Sequence, residues 1–317
     1  MEEKEIGFKQ LVSVGCGLDV HQATVVATIS KGNKQDETRE FEAYTSSLTD
    51  LRDWCKASGV THIAMESTGI YWKPVFNILE EDFEVILVNA RHVKNVPGHK
   101  TDKKDSKWLS KLLLSGLLKG SFIPPQEIRE LRDLVRYKKK VVAQVASDKN
   151  RIIKILEDAN IKLSMVLSEV NGVSGTKIIN DIIAGITNVD LLIAHIHGKV
   201  KASREDIRKA LQGRLTKHHR FMLKTIKKSI DDREKIISKL EKQIDDASEQ
   251  YKIELDLLQS IDGVGKDSAI TIISEIGVDM NQFPNEHHLS SWSGMSPGNN
   301  ESAGKKKVPE PSKEINT

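Results

Sequence analysis

Cysteine is nearly absent from these 317 residues: Cys16 and Cys55 are the whole complement. Two cysteines so placed make neither a disulfide framework nor a thiolate metal site, and a reducing cytoplasm fits. No apolar run is long enough to span a membrane, so none is expected as a partner. The opening Met1-Glu2-Glu3-Lys4-Glu5 is too acidic for a secretory signal. Aromatic residues make up only 5% of the chain, so base stacking is not expected to be the main mode of any nucleic-acid contact. A dominant charge is missing too: 48 Lys and Arg against 45 Asp and Glu leave a net charge of +3, so local clusters matter more than the total.

What is present begins with an alternation of strand and helix patterns. Residues 11–29 read as strand, turn, strand, with 41–44 as a third strand. Residues 47–58 read as a helix, 63–65 as a strand, 72–80 as a helix and 85–88 as a short apolar strand. That order predicts an α/β layer with a mixed or parallel sheet.

Four carboxylates stand out on this frame. Asp19 ends an apolar strand run, and Glu66 follows Thr61-His62-Ile63-Ala64-Met65. Asp102 and Asp105 precede the apolar helix read over 108–118, three residues apart and so on one helical face. Each acid alone reads better as a helix cap or a surface charge than as a ligand. Together they could converge, and four anions in one dry site would need divalent metal to relieve their repulsion. Oxygen-only ligands suit Mg²⁺ or Mn²⁺, and a pair of such ions can clamp both oxygens of a phosphodiester exchange. The order strand-Asp, strand-Glu, helix-Asp-x-x-Asp resembles the RuvC-like branch of the ribonuclease H fold.

Beyond Ile128 the strand signal fades into long helical periodicity. That stretch carries a basic cluster, Arg136, Lys138, Lys139 and Lys140, which reads as a phosphate contact beside the candidate nuclease core. Between 223 and 258 apolar residues keep three-four spacing over about four heptads, with Arg233 as the one polar interruption. The pattern predicts a coiled coil, used for self-association or as an antiparallel arm, with a long amphipathic helix packed on its own domain as the alternative. Ile261-Asp262-Gly263-Val264-Gly265-Lys266 then separates two helical stretches and resembles a helix-hairpin-helix, whose Gly263, Gly265 and Lys266 would seat a DNA phosphate. It is not a Walker loop, because Asp267 follows Lys266.

A polar loop near the C-terminus ends in Ser302-Ala303-Gly304-Lys305-Lys306-Lys307. A serine among small residues and lysines could be a nucleophile, although no His-Asp pair accompanies it. The motifs Gly17-Leu18-Asp19-Val20-His21-Gln22, Met65-Glu66-Ser67-Thr68-Gly69, Lys100-Thr101-Asp102-Lys103-Lys104-Asp105, the Gly263-Val264-Gly265 turn and Pro297-Gly298-Asn299-Asn300-Glu301-Ser302 are similar, in that order, to the DEDD-type insertion-sequence transposases, the family numbered 110.

The resemblance implies an α/β plus all-α architecture: a RuvC/ribonuclease H-like nuclease domain over 11–160, a helical linker with coiled coil over 161–256, a helical transposase domain over 257–307 and a disordered tail over 308–317. It implies Mg²⁺ on Asp19, Glu66, Asp102 and Asp105, and a covalent phosphoserine formed by Ser302, with Lys305 and Lys306 on phosphates. It implies DNA as substrate, a structured guide RNA as used by some members, and a homo-oligomer, dimer or tetramer. Family members continue past the serine, so a C-terminally truncated copy is expected. Two other readings remain at this point: a RuvC-like endonuclease that cuts with metal-activated water, and an inactive nucleic-acid-binding relic.

Overall fold

The computed structural model describes residues 11–32, 35–66, 69–89, 105–118, 120–196 and 200–295, with the backbone alone of 301–302 and 305–306. Asp102, Lys307 and the tail 308–317 lie outside the described residues. The chain forms two compact units, 1–123 with 280–317, and 124–279.

The first unit is built on five strands: β1 (Gly15–Val20), β2 (Thr24–Ser30), β3 (Glu37–Glu42), β4 (His62–Glu66) and β5 (Glu84–Val88), in spatial order β3-β2-β1-β4-β5. The β1–β2 and β2–β3 pairs are antiparallel, whereas β1–β4 and β4–β5 are parallel. The parallel neighbours need crossovers, supplied by α1 (Thr45–Ala57) and α2 (Trp72–Leu79). The third strand falls earlier than the sequence pattern placed it. Glu37–Glu42 pairs along the whole of β2, and Tyr44 is already the N-cap of α1.

Strand alternation sends Cys16, Leu18 and Val20 to one face, with Val25, Ala27, Ile29, Ile63 and Met65. There they pack with Leu48, Leu51 and Trp54 of α1 and Phe76 and Leu79 of α2. Burial in this core pushes the Cys16 thiol well up, and its hydrogen bond with Cys55 adds to the effect. Cys16 is therefore not poised as a nucleophile, and Cys55 is buried beside it. The opposite face receives α3 (Asp105–Leu114), whose Leu109 and Leu113 pack on Ala64 and Val88. The helix starts at Asp105, where an acid suits the positive end of the dipole. It stops at Leu114, short of the 118 the apolar run indicated. Gly116, with φ of 65°, turns the chain in a left-handed conformation.

The second unit is helical. Its spine is α4 (Gln126–Asp158) against a later 32-residue helix, Lys217–Ser248. Between them lie α5 (Leu163–Val166), α6 (Val173–Ala184), α7 (Val189–Ile193) and α8 (Arg204–Leu211), which makes Lys217–Ser248 α9. The two spine helices run antiparallel: Asp158 meets His219, Asp148 meets Arg233, and Lys138 meets Glu241. The heptad side chains Leu223, Ile226 and Ile230 are buried with Val145, Ile152 and Leu156 of α4 in the same chain. This part of the periodicity packs within the chain. Arg233, the polar interruption, reaches Asp148 at 2.7 Å, and Asp148 is only 8% exposed. Such a pair disfavours any slipped register, which would strand a buried charge. The helix breaks after Ser248 at a short 3₁₀ turn, before α10 (Lys252–Gln259) and α11 (Lys266–Ile276). The apolar spacing to 258 therefore spans two helices. α10 and α11 form a second small core with Ile128, Leu131 and Ile244.

Candidate functional site

Strand register brings the first two acids together. Leu18 pairs with Met65 across the parallel β1–β4 ladder, so Asp19 and Glu66 follow side by side at adjacent strand ends. Cys16, Leu18, Ile63 and Met65 point into the apolar core, so period-2 alternation puts Asp19 and Glu66 on the other face, the one α3 covers. Asp19 is 23% exposed, and His21 Nε2 sits 3.2 Å from its Oδ2.

The third acid arrives on α3 by way of close packing that leaves little freedom. A Cβ on Gly17 would meet the Ser106 carbonyl oxygen at 2.1 Å and the Ser110 nitrogen at 2.5 Å, and one on Gly15 would meet Leu113 at 2.9 Å. Glycine is required there because helix backbone lies directly on β1. Moving along β1 from Gly15 to Gly17, the contacts on α3 move back from Leu113 to Ser106. The next outward residue of β1 is Asp19, and the next residue back on the helix is Asp105.

A row of hydroxyls fixes this register. Thr28 of β2 shares a hydrogen bond with Ser106 at 2.8 Å and another with Thr38 at 2.9 Å. Ser30 donates to Asp36 Oδ1 at 2.7 Å and is 2.8 Å from Ser110 Oγ. Lys107 pairs with Asp36 at 2.8 Å. Burial would raise the Asp36 carboxyl, but Lys107 and Ser30 outweigh it and hold it below the ordinary value. Thr28, Ser30, Ser106 and Ser110 are all buried. The sequence reading missed this seat. Its signals were small or polar residues at every second place, Gly15-x-Gly17-x-Asp19 and Thr28-x-Ser30, facing Ser106 and Ser110 four apart.

Among the described residues no three His, Cys, Asp or Glu side chains are grouped closely enough to hold a metal ion. The fourth acid, Asp102, is outside them. Asp19, Glu66 and Asp105 are oxygen donors on one face of the sheet unit, a donor chemistry that fits a hard cation such as Mg²⁺.

The serine segment belongs to the same compact unit. It follows α12 (Glu286–Trp292), and Trp292, Phe283 and Phe122 stack edge to face with ring centroids 5.5–6.1 Å apart. Phe122 is itself tied down, because Ser121 donates its N–H to the Leu87 carbonyl of β5 at 2.7 Å. Beyond α12, β6 (Glu301–Ser302) pairs antiparallel with β7 (Lys305–Lys306), with Ser302 opposite Lys305 in register.

The basic and glycine-turn residues lie in the other unit. Gly263 adopts φ of 87°, and a Cβ on Gly265 would meet nothing within 4 Å. Gly265 is the N-cap of α11 and supplies no side-chain cap, which leaves the first N–H groups of the helix without one. Several of the expected phosphate contacts have protein partners instead. Arg136 forks onto Glu275 at 2.8 and 2.9 Å, which holds its guanidinium above the ordinary value despite burial. Lys138 lies 3.1 Å from Glu241 and 3.4 Å from Asp267, and Lys266 lies 2.7 Å from Asp245. Lys139 and Lys140 are exposed.

Residues 16–161 match the family model for DEDD transposases of the IS110 type, described as Transposase. Residues 255–317 match the model described as Transposase IS116/IS110/IS902 family. The chain belongs to the IS110 family of transposases. No curated protein matches it. The first match contains all four acids and the hydroxyl seat, and the second contains the glycine turn and Ser302. Residues 162–254, with most of the helical unit, fall outside both. As a transposase the chain binds and acts on DNA. No described helix of the transposase is long and apolar enough to cross a membrane.

Proposed function

We propose that this transposase cuts and rejoins DNA through Ser302, assisted by Mg²⁺ (or Mn²⁺) held by Asp19, Glu66, Asp102 and Asp105 on a RuvC/ribonuclease H-like sheet. The observation that carries the reading is the placement of Asp19 and Glu66 at adjacent strand ends, on the face where α3 delivers Asp105. When bound, the metal supplies charge neutralisation at the phosphate and acidifies the attacking hydroxyl. The chain's own work is positional. The strand ends fix two carboxylates, the hydroxyl seat fixes the third, and the pairing of β6 with β7 sets Ser302 opposite Lys305 in register. Ser302 Oγ loses its proton and forms a bond to phosphorus, and the P–O bond to one sugar oxygen breaks. That oxygen leaves with a proton as a free hydroxyl. The energy of the broken phosphodiester is kept in the phosphoserine, so a second hydroxyl can reverse the exchange and release the serine. Lys305 and Lys306 hold flanking phosphates, as do Lys139, Lys140 and the open N-terminus of α11 behind Gly263 and Gly265. Exchange between two DNA molecules needs two such sites held together, which a homo-oligomer, dimer or tetramer, provides. Target choice by a structured guide RNA fits a protein whose contacts are mostly to phosphate.

Covalent trapping tests this. The chain is incubated with DNA from the ends of its own element, the flanking transcript and Mg²⁺, then run on a denaturing gel. An adduct lost in Ser302→Ala and in Asp19→Asn is the expected result. Cleavage that survives Ser302→Ala without an adduct would replace serine chemistry with a water-using nuclease. Adduct formation restored by mixing the two variants shows a site shared between copies. Omitting the transcript reads whether RNA is needed.

A further inference from the structure

The N-terminal part of α9, as far as Lys228, carries basic residues with no acid among them. From Gln212 to Lys228 the sequence holds six Lys or Arg and no Asp or Glu. Leu223, Ile226 and Ile230 take the buried side of the helix. The opposite side, at helical spacing, presents Lys217, His218, Phe221, Lys224, Thr225 and Lys228, all exposed. Among the described residues, none of these three lysines has an ion pair, whereas Lys227 beside them is bonded to Asp231 at 3.0 Å. Phe221 is 64% exposed in their midst. Its ring offers apolar area among the lysines that a stacked base would cover.

We propose that this face of α9 binds an unpaired DNA strand, with phosphates on Lys217, Lys224 and Lys228 and a base stacked on Phe221. A cationic track with an aromatic platform is the chemistry that single strands require. Eleven helical steps from Lys217 to Lys228 span about 16 Å, the reach of roughly four or five stacked nucleotides at about 3.4 Å each. Strand exchange supplies the ligand, because donor and target duplexes must open before their ends are rejoined. The proposal takes from the transposase reading only the presence of opened DNA. The surface lies outside both family-matched segments, and at the opposite end of the α4–α9 pair from Lys138.

The test is fluorescence anisotropy of the full chain with a labelled mixed-sequence single-stranded DNA, across a salt series. The same DNA as duplex, the RNA of the same sequence and anionic vesicles form the comparison arms. Replacing Lys217, Lys224 and Lys228 by Ala should reduce the slope of log affinity against log salt by about 2, at about 0.7 per phosphate contact. Replacing the same three by Arg should keep the slope. Phe221→Ala should weaken single-strand binding about five- to a hundredfold with little change for duplex. All four side chains are exposed, and an unchanged melting curve checks folding. A slope unchanged by the alanine variant overturns the proposal, as does equal loss on duplex in Phe221→Ala. Tighter binding of the RNA on the same residues would overturn DNA as the ligand. Loss confined to the vesicles would assign the face to a lipid surface. Failure here is separable from failure of the serine chemistry. An adduct-forming chain with an unaltered slope sinks only this surface, and a chain with the altered slope but no adduct sinks only the chemistry.

Discussion

The two faces of the five-stranded sheet both bury apolar side chains, but only one adds glycines and hydroxyls to them. One carries Leu18, Ile29, Ile63 and Met65 against Leu48, Leu51 and Leu79, large side chains that are almost fully buried. The other carries Gly15, Gly17, Thr28, Ser30 and Ala64 against Ser106 and Ser110. The first face buries area, which stabilises without regard to direction. The second also buries Leu109 and Leu113 on Ala64 and Val88, but it adds backbone contact and directional hydrogen bonds that specify one position of one helix. The acids lie on the second face. A site that must hold carboxylates in fixed geometry gains more from register than from bulk.

Leu51→Ala should have the largest effect on stability. Leu51 is 0% exposed, so truncation should cost about 2–5 kcal/mol. Adduct yield per folded molecule should stay near wild type, because α3 does not rest on Leu51. Denaturant midpoints beside trapping yields at a temperature where both chains are folded would read this. A yield that collapses while the fold persists would mean the faces are not separable.

Gly17→Ala should reverse the proportions. The new Cβ cannot coexist with the Ser106 carbonyl 2.1 Å away, so α3 must shift. Overpacking of this kind costs about 1–3 kcal/mol. A displacement near 1 Å at the site costs on the order of a hundredfold in rate. Activity should therefore fall much further than stability does. A variant that is destabilised but fully active would show that Asp105 does not need this seat.

Some of this was legible in the sequence and some was not. Asp19 and Glu66 could be found because an acid ending an apolar strand breaks the local pattern. The α/β layer followed from alternating periods of hydrophobicity. The hydroxyl seat escaped because Thr28, Ser30, Ser106 and Ser110 look like ordinary strand and helix residues until tertiary contact pairs them across nearly eighty positions. The heptads between 223 and 258 were visible, but periodicity names a buried face and not its partner, and the partner proved to be α4 of the same chain. Arg136 and Lys138 looked like phosphate ligands because Glu275, Glu241 and Asp267, which answer their charges, are more than a hundred residues away.

Within the register face, Thr28 and Ser106 should be coupled. Ser106→Ala alone leaves Thr28 its bond to Thr38, so the loss should be about 0.5–1.5 kcal/mol, that of one hydrogen bond. Thr28→Val together with Ser106→Ala should cost less than the two separately, because each single change already removes their shared bond. Strict additivity in denaturant melts would show the two hydroxyls acting independently, and with it that the row does not fix α3 as a unit.

The smallest effect should come at the edge of that face, from Asp36. Its carboxyl is held below the ordinary value because Lys107 and Ser30 outweigh the cost of its burial. A group whose folded value is depressed adds stability while it is ionised, and the contribution fades as pH falls through that lowered value. Wild type should therefore exceed Asp36→Asn by a constant margin from neutral pH down to the ordinary carboxylate range, and the margin should narrow below it. Lys107 is 46% exposed, so added salt should shrink the margin at neutral pH as well. Denaturant midpoints of the two chains at several pH values and two salt concentrations would show this. A margin that widens in acid would mean that burial, and not Lys107 and Ser30, dominates at Asp36. The register face would then be held by its neutral hydroxyls, its glycines and the packing of Leu109 and Leu113, with nothing from the ion pair.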